Sequence, residues 1–158
     1  MSKDSKKLKK FEGLVLERFL QNKLPTFGAK STKSLFKVVR YDGVFQDADG
    51  NIVIVEVAFG GGDKKLKPGP QRKMLADALK LVSANTFLRN QNHVIARRIL
   101  IVRSEGVGRN IGCGWKGTVL KSHNVEVIPA DISTAEEAEI KAILKICTEE
   151  QVHEKQGS

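Results

Sequence analysis

Residues 41–59 are YDGVFQDADGNIVIVEVAF, a pattern that predicts a β-hairpin. One strand is expected over residues 35–46 and its partner over residues 51–59, because apolar and β-branched residues fill both. The Asp-Ala-Asp-Gly link between them is typical of a tight hairpin turn. The antiparallel hairpin is therefore the first element of the predicted sheet.

The register of this hairpin determines whether Asp42 and Glu56 lie together. A three-residue loop of residues 48–50, with Gly50 in the left-handed conformation, places Asp42 directly opposite Glu56 on one face. A two-residue turn of Asp49 and Gly50 places Gly43 opposite Glu56 and separates the two carboxylates. Both registers are compatible with the sequence.

Glu56 is the only charged residue in the apolar run of residues 52–59. A charge in a buried strand is costly unless it is paired or bound to a metal ion. Two carboxylates about 5 Å apart suit Mg²⁺, which takes oxygen ligands and keeps waters and substrate phosphates. Asp42 and Glu56 are thus the predicted metal ligands and catalytic residues, with Mg²⁺ or Mn²⁺ as cofactor. The alternative is that Glu56 lies at a strand end and meets a lysine or arginine.

The rest of the chain completes an α/β pattern of helices and strands. The order predicts a mixed β-sheet with an antiparallel hairpin and a parallel crossover, flanked by helices. The further elements are a helix over residues 5–21, a helix over 70–89, a strand over 97–103, a glycine-rich connection over 106–117 that is either a loop or a helix, a strand over 125–128 and a last helix capped by Ser133.

Two residues on helices are further candidates for the site. Glu12 lies at the margin of the apolar stripe of the first helix, from which it can reach the sheet or the solvent. Gln71 shares a helical phase with Leu75 and Ala78 and is predicted to point inward, with a capping or surface role as the alternative. Lys73 falls about 200° away on a polar face, beside Asp77 and Lys80.

Several basic residues are candidates for contacts with nucleic acid. The glycine- and lysine-rich loop of residues 60–70 either binds phosphates or is simply solvated. Gly108–Thr118 lacks the Gly-Lys-Ser/Thr order of a P-loop, and its only tryptophan, Trp115, either stacks on a base or packs in the core. The predicted phosphate-binding residues are Lys64, Lys65, Lys67, Arg72, Lys73 and Lys116.

Composition agrees with one intracellular domain. The chain has 158 residues, 41% of them hydrophobic, and a net charge of +9, which favours polyanionic partners. We expect a single domain over residues 1–158, with a basic arm at 1–7 and a polar tail at 149–158. Two cysteines, no signal-peptide core and no membrane-length apolar run predict a cytoplasmic protein, or a nuclear one if the source has a nucleus.

The order of these elements resembles that of the PD-(D/E)XK, or restriction-endonuclease-like, nucleases, over roughly residues 7–128. The resemblance implies that Asp42 and Glu56 bind Mg²⁺, that Glu12 assists, and that DNA is the substrate, with RNA left open. It also implies a homodimer or higher homo-oligomer, because cutting two strands needs two sites. Two positions depart from the family pattern: Tyr41 replaces a proline, and Ala58 replaces the lysine that orients the attacking water.

Three hypotheses follow from these residues. The first is a metal-dependent DNA endonuclease in which Gln71, Lys73 or Lys64 substitutes for the missing lysine. The second is a catalytically inactive nucleic-acid-binding domain on the same fold, which Ala58 favours. The third is a protein-interaction module.

Overall fold

The computed structural model describes residues 3–23, 35–60 and 68–156. Within these ranges the chain forms six helices and four strands. The elements are α1 (Lys3–Lys23), β1 (Gly43–Gln46), β2 (Ile52–Ala58), α2 (Pro68–Val82), α3 (Ala84–Phe87), β3 (Ile95–Val102), α4 (Glu105–Ile111), α5 (Gly114–Ser122), β4 (Val125–Pro129) and α6 (Thr134–Gln156).

The hairpin adopts the three-residue loop. The backbone N–H of Asp47 donates to the carbonyl of Asn51 at 2.9 Å, and Gly50 has a φ of +79°. The Asp47 carboxylate also accepts the backbone N–H groups of Asp49 and Asn51, which stabilises the turn. Gln46 pairs with Ile52 and Gly43 with Val55, so the register that places Asp42 across from Glu56 is confirmed.

The four strands form one mixed sheet in the order β1-β2-β3-β4. β1 and β2 are antiparallel, while β2, β3 and β4 run parallel. The predicted α/β class, the antiparallel hairpin and the parallel crossover are therefore confirmed. All seven residues of β2 are buried, as expected for a strand covered on both faces.

Alternate residues of β2 belong to two separate hydrophobic layers. Val53, Val55 and Val57 pack with residues of α1 and α6. Ile54 and Ala58 pack with residues of α2, α4 and α5 on the other face. Because side chains alternate along a strand, Glu56 points to the same face as Ile54 and Ala58, toward α2.

The first strand is shorter than predicted. The sequence suggested a strand over residues 35–46, but β1 begins only at Gly43. Phe36 forms an isolated bridge with Leu88, and Val38 adopts a φ of +67° with 98% of its surface exposed. A left-handed residue cannot continue a strand, so Val38 separates the bridge at Phe36 from β1, whose pairing begins at Gly43.

Two other predicted segments also differ. The helix expected over residues 70–89 is interrupted at Ser83 and continues only as the single turn of α3. The segment 106–117, expected as one glycine-rich connection that is either a loop or a helix, forms parts of two helices, α4 and the start of α5. Gly117 is needed for packing, because a Cβ at this position would overlap the carbonyl oxygen of Gly112.

The terminal helices pack together on one face of the sheet. Ser133 caps α6 as predicted: its hydroxyl accepts the N–H of Glu136, whose carboxylate accepts the N–H of Ser133. Arg18 of α1 makes two hydrogen bonds, of 2.8 and 2.9 Å, to the same Glu136 carboxylate. α1 starts within the predicted basic arm, and α6 continues to Gln156 through most of the predicted tail.

No helix in the described part of the chain combines the length and the apolar character required to cross a membrane.

Candidate functional site

A cleft of about 380 Å³ opens beside the C-terminal half of β2. Its walls come from the first half of α1 and from α2, and its floor from Asp42, Glu56 and Val57. β1 pairs with β2 only as far as Val55, so the last residues of β2 have no β1 partner on that side. The cleft occupies the space where β1 would have continued.

Asp42 takes the place of the missing strand partner. Its Oδ2 atom accepts the backbone N–H of Val57 at 2.8 Å. The other carboxylate oxygen, Oδ1, accepts no hydrogen bond from a described residue. Asp42 is itself exposed, and it lines the cleft together with Glu56. The hairpin register and this hydrogen bond to the backbone hold the carboxylates of Asp42 and Glu56 next to each other in the cleft.

Glu56 is a buried carboxylate in an apolar strand. Only 2% of its surface is exposed, yet it contributes to the floor of the cleft. Burial is the main cause that raises its pKa, to about 8, and the nearby charge of Asp42 raises it further. A hydrogen bond from Lys80 acts in the opposite direction, because the ammonium favours the charged carboxylate.

Lys80 of α2 is the cation that meets Glu56. Its Nζ lies 2.5 Å from Glu56 Oε1 and 3.7 Å from Asp77 Oδ1. It also donates to the carbonyl of Arg40 at 3.2 Å, while the Tyr41 hydroxyl donates to the carbonyl of Lys80 at 2.9 Å. These contacts join α2 to the segment before β1 and hold the ammonium at the floor of the cleft.

Two more acidic residues line the cleft. Glu12 of α1 is half-buried and Asp77 of α2 is buried. Burial is the largest cause that raises the pKa of each, and the charge of Asp42 adds to both shifts. Glu12 thus lies where the sequence prediction required it to lie if it assists Asp42 and Glu56.

Cations from both helices also line the cleft. Lys9 of α1 and Lys73 of α2 are exposed residues on opposite walls. Both favour the charged form of Glu12, and Lys73 also favours that of Asp77. The cleft therefore has an acidic floor, and each wall carries both acidic and basic side chains.

Lys80 and Asp77 were missed by the sequence analysis because of the phase of α2. The predicted inward stripe contained Gln71, Leu75 and Ala78. Ala78 is buried as predicted, but Leu75 is only half-buried and the most buried residues of α2 are Met74 and Leu81. The stripe is rotated by roughly 60–75° from its predicted position. The polar face that carries Lys73, Asp77 and Lys80 consequently borders the cleft as well as the solvent.

Of the other predicted residues that the structure describes, Arg72 and Lys116 do not line the cleft. Arg72 is exposed on α2 and Lys116 lies on α5, on the β4 side of the sheet. The side chain of Gln71 falls outside the described part of the chain, as do Lys64, Lys65 and Lys67. Ala58 is buried in the apolar layer between the sheet and α2. Position 58 therefore supplies no charge, and among the described residues the amine in contact with Glu56 belongs to Lys80.

A divalent ion would have to use few protein ligands here. Within residues 3–23, 35–60 and 68–156, no three Asp, Glu, His or Cys side chains are arranged to hold a metal ion. Mg²⁺ commonly binds through one or two carboxylates together with waters and substrate phosphates. Asp42 and Glu56 fit this mode: each is an oxygen donor, and their mutual repulsion favours a cation at the site.

Comparison of the chain with protein-family models, curated proteins and solved structures gives no match. The site must therefore be interpreted from its own geometry and charges.

The raised pKa of Glu56 predicts a pH-dependent stability. The pKa of Glu56 is 4.5 ordinarily and about 8 in the fold. Its contribution to the free energy of unfolding is therefore complete below pH 4.5 and is lost as the pH rises through 8. The neutral Glu56→Gln variant avoids this loss. We expect it to be more stable than the wild type at pH 8.5, by about 1–3 kcal/mol, with a smaller difference at pH 5.

Urea unfolding at both pH values measures this difference. Glu105→Gln is the matched control, because the Glu105 side chain is 78% exposed and its substitution should give no pH-dependent change. A stability difference between Glu56→Gln and the wild type that stays constant from pH 5 to 8.5 would contradict the raised pKa.

Proposed function

We propose that this chain is a divalent-metal-dependent endonuclease that hydrolyses phosphodiester bonds in DNA at the cleft above Asp42 and Glu56. The observation that carries the proposal is the setting of Glu56. It is a carboxylate with 2% exposure in an apolar strand, yet it lines an open cleft beside a second carboxylate and an ammonium group. Strongly shifted ionisable groups in a cleft are typical of functional sites.

Asp42 and Glu56 are the residues that would hold Mg²⁺ or Mn²⁺. When bound, such an ion would neutralise charge on the phosphate and lower the pKa of a bound water. The Val57 N–H fixes one oxygen of Asp42, and the rigid strand fixes Glu56, so neither carboxylate has to be ordered when a ligand binds. Glu12, on the α1 wall of the cleft, would add negative charge near Asp42 and Glu56 and so favour binding of the metal ion.

Lys80 supplies the cation that β2 lacks at Ala58. An ammonium beside the metal-binding glutamate can stabilise the charge that develops on the phosphate during hydrolysis. The Tyr41 and Arg40 contacts restrain the end of α2 and the ammonium itself, so Lys80 is held in position before substrate binds. The absent lysine at position 58 is therefore compatible with catalysis.

The cleft walls favour a polymeric phosphate as substrate. Lys9 and Lys73 lie on opposite sides of the acidic floor, where they can contact phosphates on either side of the bond that is cut. Neither forms an ion pair with a described residue. The net charge of +9 further favours a polyanion, since phosphate contacts release counterions.

One observation favours a second candidate, a nucleic-acid-binding domain without activity. The Lys80 ammonium already balances Glu56 with no metal ion, as in a structural ion pair. On this alternative, the chain would bind DNA in a salt-sensitive way and never cut it.

Metal-dependent cleavage distinguishes the two candidates. Purified protein is incubated with supercoiled, linear, branched and single-stranded DNA in Mg²⁺, Mn²⁺ or EDTA. We expect cutting of at least one substrate in Mg²⁺ or Mn²⁺ and none in EDTA. Asp42→Asn and Glu56→Gln should abolish it, whereas Asp49→Asn, an exposed change in the same hairpin, should not.

Salt-sensitive binding by the wild type with no cutting of any substrate would support the second candidate and refute the endonuclease. Cutting that survives in both Asp42→Asn and Glu56→Gln would place the activity elsewhere.

The role of Lys80 has a test of its own. Lys80→Gln should lower kcat by about 10²–10³-fold with little change in KM, because it removes charge stabilisation made in the transition state. Lys141→Gln on α6 is the control.

The melting temperature of each Lys80 variant is measured to verify that it is folded. If Lys80→Gln is too unstable to assay, Lys80→Arg is used instead, because it keeps the positive charge. A folded Lys80→Gln protein that cuts at the wild-type rate would refute the role of Lys80.

A further inference from the structure

α5 presents an exposed aromatic face beside β4, at the opposite edge of the sheet from β1 and the cleft. Trp115 is 69% exposed and Val119 is 41% exposed. At 100° per residue these two side chains lie about 40° apart, so they share one face of the helix. Gly117 and Leu120 are buried on the opposite face, against α4 and the sheet. We call Trp115 and Val119, together with the lysines at the sides of this helix, the α5 face.

Lys116 and Lys121 lie on either side of the tryptophan, about 100° and 120° around the helix. Neither lysine forms an ion pair with a described residue, although Arg18, Arg97 and Lys80 each have a carboxylate partner. α5 itself contains no acidic residue. An exposed indole between two uncompensated ammonium groups is complementary to a ligand that combines a flat ring with negative charge.

We propose that the α5 face binds single-stranded nucleic acid, with an unpaired base stacked on Trp115 and adjacent phosphates near Lys116 and Lys121. Base stacking on aromatic side chains combined with cationic contacts to the backbone is the usual way to bind single strands. The net charge of +9 acts in the same direction. This face is distinct from the cleft, and its binding does not require hydrolysis there.

The size and charge of the face argue against a second copy of the chain as its occupant. Trp115 and Val119 together offer on the order of 200 Å² of apolar surface. A stable dimer buries about 800 Å² on each partner. Two copies would also bring Lys116 and Lys121 of each chain close together without acidic partners on α5.

The sequence contains one tryptophan, so the fluorescence of Trp115 reports directly on this face. Oligothymidylate is titrated into the Glu56→Gln variant in EDTA, which prevents hydrolysis by the proposed site. We expect strong quenching by oligothymidylate and little quenching by inorganic polyphosphate, which carries charge without bases. Equal quenching by both polyanions would overturn the stacking proposal.

Binding of labelled oligothymidylate to variants, measured by anisotropy, completes the test. Trp115→Ala should weaken affinity between about fivefold and a hundredfold, while Trp115→Phe should retain most of it. Ile146→Ala, a change at an exposed apolar residue of α6, is the matched control and should bind normally. The exposed position of Trp115 makes loss of folding in its variants unexpected, and a melting curve verifies this.

Three outcomes would overturn the proposal. The first is unchanged affinity in Trp115→Ala, and the second is no binding of oligothymidylate by the parent. The third is tryptophan fluorescence that changes with protein concentration alone, which would identify a protein interface instead. Loss of cleavage with intact quenching would refute only the endonuclease, and cleavage without quenching would refute only the α5 face.

Discussion

The ion pair between Glu56 and Lys80 is the interaction on which the site depends. Glu56 stands in a strand whose other residues are all apolar, where an unpaired carboxylate would be costly. Lys80 meets it at 2.5 Å, and the carbonyl of the same residue accepts the Tyr41 hydroxyl. One residue of α2 therefore fixes both the charge at the floor of the cleft and the segment that leads into β1.

A buried ion pair contributes little to the stability of the fold, because the cost of removing two charges from water offsets much of their attraction. The location of the Glu56–Lys80 pair instead connects it with the cleft. The pair lies where β1 stops, beside the Val57 N–H that Asp42 occupies. A shorter β1 leaves an opening between α1 and α2, and the chain places four carboxylates and three lysines around that opening. This concentration of charge is understandable if the opening binds a metal ion and a phosphate chain.

The part of the site within the hairpin was predictable from the sequence, whereas the part on α2 was not. Asp47 and Gly50 set a local turn, and a local turn sets the register that brings Asp42 to Glu56. Lys80 lies 24 residues from Glu56 along the chain, and its position depends on the rotation of α2 over the sheet. The rotation predicted from the periodicity of α2 was wrong by about two-thirds of the 100° that separates successive helical residues. This error placed Lys80 on the solvent side of α2. The signal that could have corrected the phase is the spacing of Met74, Ala78 and Leu81.

The helices α4 and α5 also show that local sequence preferences do not determine the structure by themselves. Their glycines left a loop and a helix both open because glycine lowers helix propensity, yet close packing of Gly117 on Gly112 requires a glycine inside a helix. Tertiary contacts outweigh local preference at that position, and Trp115 is consequently displayed on a rigid helix.

The most direct test of the account is paramagnetic NMR with substoichiometric Mn²⁺, in which bound Mn²⁺ broadens the amide signals near its site. The account predicts that the signals of Asp42, Glu56 and Val57 broaden first, and that Asp42→Asn removes this effect. Broadening that starts elsewhere, or that persists unchanged in Asp42→Asn, would contradict a metal site formed by Asp42 and Glu56.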